Sequence, residues 1–96
     1  MPKCKYTNMV PDRKYFSMIP VEVNLILAEI FELGDKGRGY TPDSWVERGW
    51  LHHLGKCIGH IGKFMVGGAD EPHLYCAMWR LCIAATIWRR EICQRD

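Results

Sequence analysis

Apolar residues recur at spacings of three and four in three segments of the chain, which is the period of an amphipathic α-helix. The first segment begins with Pro20, which suits the first position of a helix, and Gly34 follows it as a natural terminator. We therefore predict a first helix over residues 20–33. Its apolar face comprises Val23, Ile26, Leu27, Ile30 and Phe31.

The second segment opens at Ser44, which forms a capping-box pattern with Glu47, and predicts a helix over residues 44–65. Three glycines inside it each cost about 1 kcal/mol relative to alanine, so we expect another helix or a ligand to approach closely there. These glycines also make this helix the best candidate for an interface between copies. The glycines are Gly55, Gly59 and Gly62, and the apolar side comprises Trp50, Leu54, Cys57, Ile61 and Phe64.

The third segment predicts a helix over residues 72–93. Gly67-Gly68 ends the helix before it, and the acids Asp70 and Glu71 with Pro72 mark its start, where the helix dipole favours negative charge. Its expected core face comprises Leu74, Ala77, Met78, Leu81, Cys82, Ala85 and Trp88.

These helices predict an all-α, compact bundle in a single domain over residues 20–96. Residues 1–19 are expected to form an irregular arm, because Pro2 and Pro11 within it and Pro20 just after it interrupt helix continuity. A short helix within the arm remains an open alternative. The arm's apolar patch should pack onto the body; it comprises Tyr15, Phe16, Met18 and Ile19.

Composition limits the class of protein. The net charge of +2 is too small to argue for direct nucleic-acid binding, and the longest apolar run, Leu81–Ala85, is far too short for a membrane span. Five cysteines are an odd number without a disulfide pattern, so we expect a reducing, cytoplasmic setting. A chain of 96 residues has a thin core, which favours a homo-oligomer.

Two stripes of chemically active side chains are expected to face each other if the second and third helices pair antiparallel. They are His53, Cys57 and His60 on the second helix, and His73, Cys76 and Arg80 on the third. Asp70 and Glu71 would then lie beside the histidines at the mouth of the helix pair. We keep four interpretations open: purely structural roles, a hydrolytic site, a Zn²⁺ site and a cysteine nucleophile.

In the hydrolytic interpretation, carboxylates bind Mg²⁺, histidines transfer protons, and Arg80 or Lys63 binds phosphate. The Zn²⁺ interpretation uses His53, Cys57, His60, His73 and Cys76. The glycine-rich segment 34–43 would either cradle phosphate through its backbone N–H groups or simply form a tight turn.

The order of these motifs resembles the phage dATP/dGTP diphosphohydrolase N-terminal domain family, an outlying relative of the all-α, MazG-like nucleotide pyrophosphohydrolases. The resemblance spans residues 14–88. It rests on Lys14-Tyr15, Ile19-Pro20-Val21-Glu22, Phe31 to Gly37, Tyr40 and Trp45, and most specifically on His60-Ile61, Gly67, Asp70-Glu71, His73-Leu74 and Ala77-x-Trp79.

The resemblance implies Mg²⁺-dependent cleavage of a nucleoside triphosphate to the monophosphate and pyrophosphate. The positions of this chain that match the family are His60, Asp70, Glu71, His73 and Lys36. We expect catalytic roles for His60, Glu71 and His73, and metal binding by Asp70 and Glu71 together with Glu29 and Glu32 of the first helix. Lys36, Arg38 and Arg80 are the expected phosphate-binding residues. The chain departs from the family at Cys76 and Arg80, and the dense MazG-like acid pattern is absent. The alternative is a catalytically degenerate phage protein of the same fold that binds and inhibits a host protein complex.

Overall fold

A computed structural model describes residues 11–38 and 44–94, with side chains for residues 11–34 and 44–92. All regular structure within these ranges is helical, so the prediction of an all-α bundle with three main helices is confirmed. The elements are α1 (Arg13–Phe16), α2 (Val21–Arg38), a 3₁₀ helix (Ser44–Arg48), α3 (Gly49–Met65) and α4 (His73–Gln94).

The first main helix, α2, continues to Arg38, so the prediction that Gly34 ends it is wrong. Among the described residues only Gly49 and Gly67 have positive φ, and Gly34 therefore does not form a left-handed cap. A single glycine costs only about 1 kcal/mol inside a helix, which packing of the same helix can outweigh. Residues 34–38 of the predicted loop are thus helical, and residues 39–43 lie outside the described part of the chain.

The predicted second helix consists of two elements. Ser44 begins a 3₁₀ helix, and the α-helix starts only at Gly49, whose φ of +77° places it in the left-handed region. That backbone conformation is favourable for glycine and interrupts the α-helical path. The boundary at Met65 agrees with the prediction.

The C-terminus of α3 is closed by a Schellman motif. Gly67 has φ of +85°, and its N–H donates to the Phe64 carbonyl at 3.1 Å. The N–H of Gly68 donates to the Lys63 carbonyl at 2.9 Å. This tight closure reverses the chain within a few residues and delivers it to the start of α4.

Helices α3 and α4 form an antiparallel hairpin, which is the main packing unit, and α2 packs on α4. The pairing is visible in two contacts: His60 meets His73 near the turn, and His53 meets Arg80 further along. The core cluster joins Ile30 of α2 to three residues of α4, and the Phe31 ring meets the Trp79 ring edge-on at 5.3 Å. The cluster comprises Ile30, Trp79, Ile83 and Ile87, with Leu27, Trp45, Trp50 and Cys76 packed against it.

The buried face of α4 differs from the predicted one. Leu74 and Leu81, which we expected in the core, are 50% and 51% exposed, and Ala85 is exposed as well. The reason is that α4 contacts α3 and α2 on different sides, while its apolar residues surround most of the helix, so their period does not define one face. The buried apolar residues of α4 are Ala77, Trp79, Ile83, Ala84, Ile87 and Ile92.

Two other packing expectations are not met within the described chain. A Cβ atom built on Gly55, Gly59 or Gly62 would meet nothing within 4 Å, so no described part of the chain approaches these glycines, and approach by a ligand or a second copy stays a prediction. The N-terminal arm contains the short helix α1, and the side chains of its apolar patch are 50–74% exposed. The patch therefore does not pack onto the body. None of the described helices is long and apolar enough to cross a lipid bilayer.

Candidate functional site

The candidate site lies where the α3–α4 hairpin turns. His60, in the last turns of α3, places its Nδ1 atom 2.9 Å from Nδ1 of His73, the first residue of α4. His73 is fully buried, and His60 is half-buried. The expectation that the two histidine stripes face each other across an antiparallel pair is confirmed by this contact.

Asp70 fixes the orientation of the His73 ring. The carboxylate Oδ1 lies 2.7 Å from His73 Nε2, and since a carboxylate accepts, Nε2–H donates. This hydrogen bond lowers the pKa of Asp70 below its ordinary value. Glu71 stands on the other side of the ring, with Oε2 4.0 Å from His73 Nδ1.

The two imidazoles share one proton between their Nδ1 atoms. In the neutral form of His73, Nε2 carries the proton, so His60 Nδ1–H must donate to His73 Nδ1; in its charged form the direction reverses. Burial lowers the pKa of His60, and the positive charges nearby lower it further, whereas the Glu71 carboxylate acts in the opposite direction. The pair can therefore pass a proton along its axis.

His60, Glu71 and His73 each offer one ligand atom, and these atoms lie within 4.8 Å of one another. Two imidazole nitrogens and one carboxylate do not fit Mg²⁺, which requires about six oxygen ligands. The predicted ligands Glu29 and Glu32 are exposed on α2, do not line the cavity at this site and do not belong to the group of His60, Glu71 and His73.

The proposed Zn²⁺ set of two cysteines and three histidines does not assemble as one group. Among the described residues, the group that could hold a metal ion joins His60 and His73 to Glu71 and contains neither cysteine nor His53. His53 Nε2 lies 2.7 Å from the Trp45 carbonyl, and its Nδ1 lies 2.8 Å from Arg80 Nη1. Arg80 can only donate, so His53 is neutral, with its proton on Nε2. Burial first, and the Arg80 charge as well, lower the pKa of His53.

The cysteine interpretation is also disfavoured. Cys57, Cys76 and Cys82 are free thiols, and burial raises the pKa of Cys57. A nucleophilic or metal-binding cysteine needs the thiolate, which this environment opposes.

A cavity of about 320 Å³ adjoins the histidine pair, and we call it the acidic cavity. Its walls combine charged groups with apolar side chains from α2 and α4, a composition typical of small-molecule sites. They are Ile30, Leu33, Gly34, His60, Asp70, Glu71, Pro72, Cys76, Trp79 and Arg80. The Trp79 Nε1–H is buried without a hydrogen-bond partner among the described residues.

A second cavity of about 360 Å³, the basic cavity, lies on the other side of Trp79 and Arg80, which line both. Its other walls are Phe31, Ser44, Trp45, Glu47, Arg48, His52, His53 and Lys56. The pKa of His52 is lowered by burial and then by three positive charges, Arg80, Arg48 and Lys56.

The basic cavity was not predicted from the sequence. Arg48, His52 and Lys56 recur at spacings of four, which is one helical stripe, and this signal would have indicated a basic face. Of the three predicted phosphate-binding residues, Arg80 lines both cavities. Lys36 and Arg38 belong to the last turn of α2, where the side chains lie outside the described part of the chain.

Comparisons with protein-family models, curated proteins and solved structures find no match.

Proposed function

We propose that this chain hydrolyses a phosphoanhydride bond of a nucleoside triphosphate, releasing the monophosphate and pyrophosphate. The observation that carries the proposal is the composition of the acidic cavity. A guanidinium, two carboxylates and an imidazole share one cavity with an apolar wall. A nucleotide needs this combination, because its phosphates require cations and its base requires an apolar or aromatic surface.

Arg80 binds the phosphates in this proposal. Its guanidinium has five N–H donors in a planar fork, which suits it to grip a phosphate oxygen while it holds His53. The guanidinium also lies 5.0 Å from the Trp79 ring centre, a cation–π contact that favours this position. The apolar residues Ile30 and Leu33 face the base.

Glu71 accepts the proton of the attacking water, and the His60–His73 pair donates a proton to the leaving phosphate. Asp70 holds His73 in the orientation that this transfer needs. Mg²⁺ enters as the counter-ion of the triphosphate and therefore belongs to the substrate, since the protein's own donor set does not fit it.

The test is the identity of the products. Purified protein is incubated with each deoxynucleoside triphosphate and Mg²⁺, and the products are separated by ion-exchange chromatography. We expect monophosphate and pyrophosphate in equal amounts. Diphosphate with orthophosphate, or no product from any nucleotide, would reject the proposal.

A second candidate function, binding and inhibition of a host protein complex by a phage protein of this fold, is favoured by one surface of α3. Leu51, Ile58 and Met65 are 68%, 66% and 78% exposed along one stripe, and Gly55 and Gly62 lie between them on it. We call this the glycine stripe. Monomeric proteins rarely expose continuous apolar surface unless it binds a partner.

We propose first that a second copy of the chain covers the glycine stripe, in a reducing cytoplasm where Cys57, Cys76 and Cys82 stay free. Sedimentation velocity separates the cases. A homo-oligomer should dissociate in Ile58→Glu and persist in Val21→Glu, a control at an equally exposed position of α2. A wild-type monomer that binds a host complex through Ile58 would favour the second candidate function.

A further inference from the structure

We infer that His60, Glu71 and His73 form a site for a divalent ion that prefers nitrogen ligands, of the Zn²⁺ class. The three side chains come from the end of α3, the turn and the start of α4, and their ligand atoms lie within 4.8 Å of one another. Two histidines and one glutamate are a ligand set that Zn²⁺ uses in hydrolytic sites. This inference does not depend on a nucleotide being the substrate.

The spacing of the two nitrogens suits an ion between them. With Zn–N bonds of about 2.0–2.1 Å and a tetrahedral angle, two ligating nitrogens lie about 3.3 Å apart. The two Nδ1 atoms are 2.9 Å apart, which is hydrogen-bond distance. An ion bound to both nitrogens would lie to one side of the line that joins them, so the rings would have to separate by about 0.4 Å and tilt until both lone pairs point at the ion. His60 is the half-buried partner that can make this adjustment.

Asp70 provides an independent observation. Histidines that bind metals usually donate their other ring N–H to a carboxylate, which fixes the tautomer and raises the basicity of the ligating nitrogen. His73 Nε2 donates to Asp70 Oδ1 at 2.7 Å, and this leaves Nδ1 as the atom directed at His60 and Glu71. Both the ligand set and its supporting carboxylate are therefore in place within one turn of the chain.

The fourth coordination position faces the acidic cavity, because His60 and Glu71 both line it. Three protein ligands and an open position are the arrangement of catalytic rather than structural Zn²⁺ sites. A Zn²⁺ ion there would lower the pKa of a bound water to about 7. In the loaded protein Glu71 then acts as a ligand, and the proton-accepting role that we give it applies to the metal-free protein.

The test measures metal binding without any substrate. Metal-free protein is titrated with Co²⁺, whose visible absorption is intense in tetrahedral sites, and Zn²⁺ is then added as a competitor. We expect one equivalent of Co²⁺ to bind, the absorption to be displaced by Zn²⁺, and millimolar Mg²⁺ to leave it unchanged. Absence of the absorption in the wild-type protein would overturn the inference.

Three variants map the site. His60→Ala and Glu71→Gln should abolish the absorption, and Asp70→Asn should weaken Co²⁺ binding by about 10- to 100-fold. His52→Ala, which changes a half-buried histidine of α3 in the basic cavity, should bind Co²⁺ as the wild type does. Circular dichroism of each variant verifies folding, and Asp70 is exposed enough for its variant to fold.

If His52→Ala lost Co²⁺ binding as His60→Ala does, or if His60→Ala kept full Co²⁺ binding, the proposed metal site would be wrong. Failure here and failure of the proposed function are distinguishable. Co²⁺ binding without nucleotide hydrolysis rejects only the hydrolase, whereas hydrolysis with Mg²⁺ by a protein that binds no Co²⁺ rejects only the metal site.

Discussion

His60 and His73 lie 13 residues apart in the chain, yet their Nδ1 atoms are 2.9 Å apart. The Schellman turn at Gly67 produces this contact, because it reverses the chain between α3 and α4. The site therefore depends on the turn more than on either helix alone, and its predicted properties can be tested separately.

A side chain at Gly67 should destabilise the turn. Gly67 has φ of +85°, so Gly67→Ala forces an L-residue into the left-handed region and should destabilise the protein by about 1–2 kcal/mol. Gly55→Ala is the matched control. Its Cβ would meet nothing within 4 Å, and the gain in helix propensity should stabilise a dilute, monomeric protein by up to about 1 kcal/mol. Urea denaturation of both variants measures the difference, and equal effects would contradict the turn geometry.

The free energy of unfolding should depend strongly on the side chain of Ile83 and only weakly on that of Leu81. Ile83 is 6% exposed and belongs to the core cluster, so Ile83→Ala should lower the free energy of unfolding by about 2–4 kcal/mol through lost burial and a cavity. Leu81 is 51% exposed, and Leu81→Ala should change the free energy of unfolding by less than about 0.5 kcal/mol. If chemical denaturation showed a larger effect for Leu81→Ala than for Ile83→Ala, the buried face of α4 would be the one that the periodicity predicted.

His53 should be neutral at pH 7 with its proton on Nε2. Arg80 donates to Nδ1, and Nε2 donates to the Trp45 carbonyl, so only this tautomer satisfies both contacts. Long-range ¹H–¹⁵N NMR distinguishes the two ring nitrogens directly. A protonated Nδ1 at pH 7 would contradict the network, and Arg80→Met should leave the proton on Nε2, because the Trp45 carbonyl still accepts a hydrogen bond from that nitrogen.

Acid should destabilise the fold below about pH 6.5. The pKa values of His53 and His60 are lowered in the folded state, chiefly by burial, so the unfolded chain binds more protons between the folded pKa and the ordinary value of about 6.5. The free energy of unfolding therefore holds above that range and falls as the pH drops through it. Urea midpoints at pH 7.5 and 5.5 measure this; a midpoint that rises on acidification would refute it.

The sequence predicted the three main helices, their order, the end of α3 and both ends of α4 to within a residue, because Pro72 and the glycines at 67 and 68 act locally. The end of α2 and the start of α3 were wrong, because packing outweighs the cost of Gly34 and the left-handed Gly49 interrupts the second segment. The meeting of His60 with His73 also followed from local spacing once the hairpin was assumed. The face of α4 did not follow, since apolar residues surround that helix and only its two partners decide which ones are buried. Glu29 and Glu32 could not be placed for a similar reason: the rotation of α2 against α4 is a tertiary property, and it leaves both exposed.

We propose that the cavity beside the histidine pair hydrolyses nucleotides, and the decisive measurement is the rate of pyrophosphate release from the variants Glu71→Gln and Glu29→Gln. Glu71 lines the acidic cavity, whereas Glu29 is an exposed glutamate outside it. We predict that Glu71→Gln slows release by at least about 100-fold, the usual effect of losing a general base, and that Glu29→Gln keeps the wild-type rate. Equal rates for the two variants, or a loss confined to Glu29→Gln, would refute hydrolysis at this cavity.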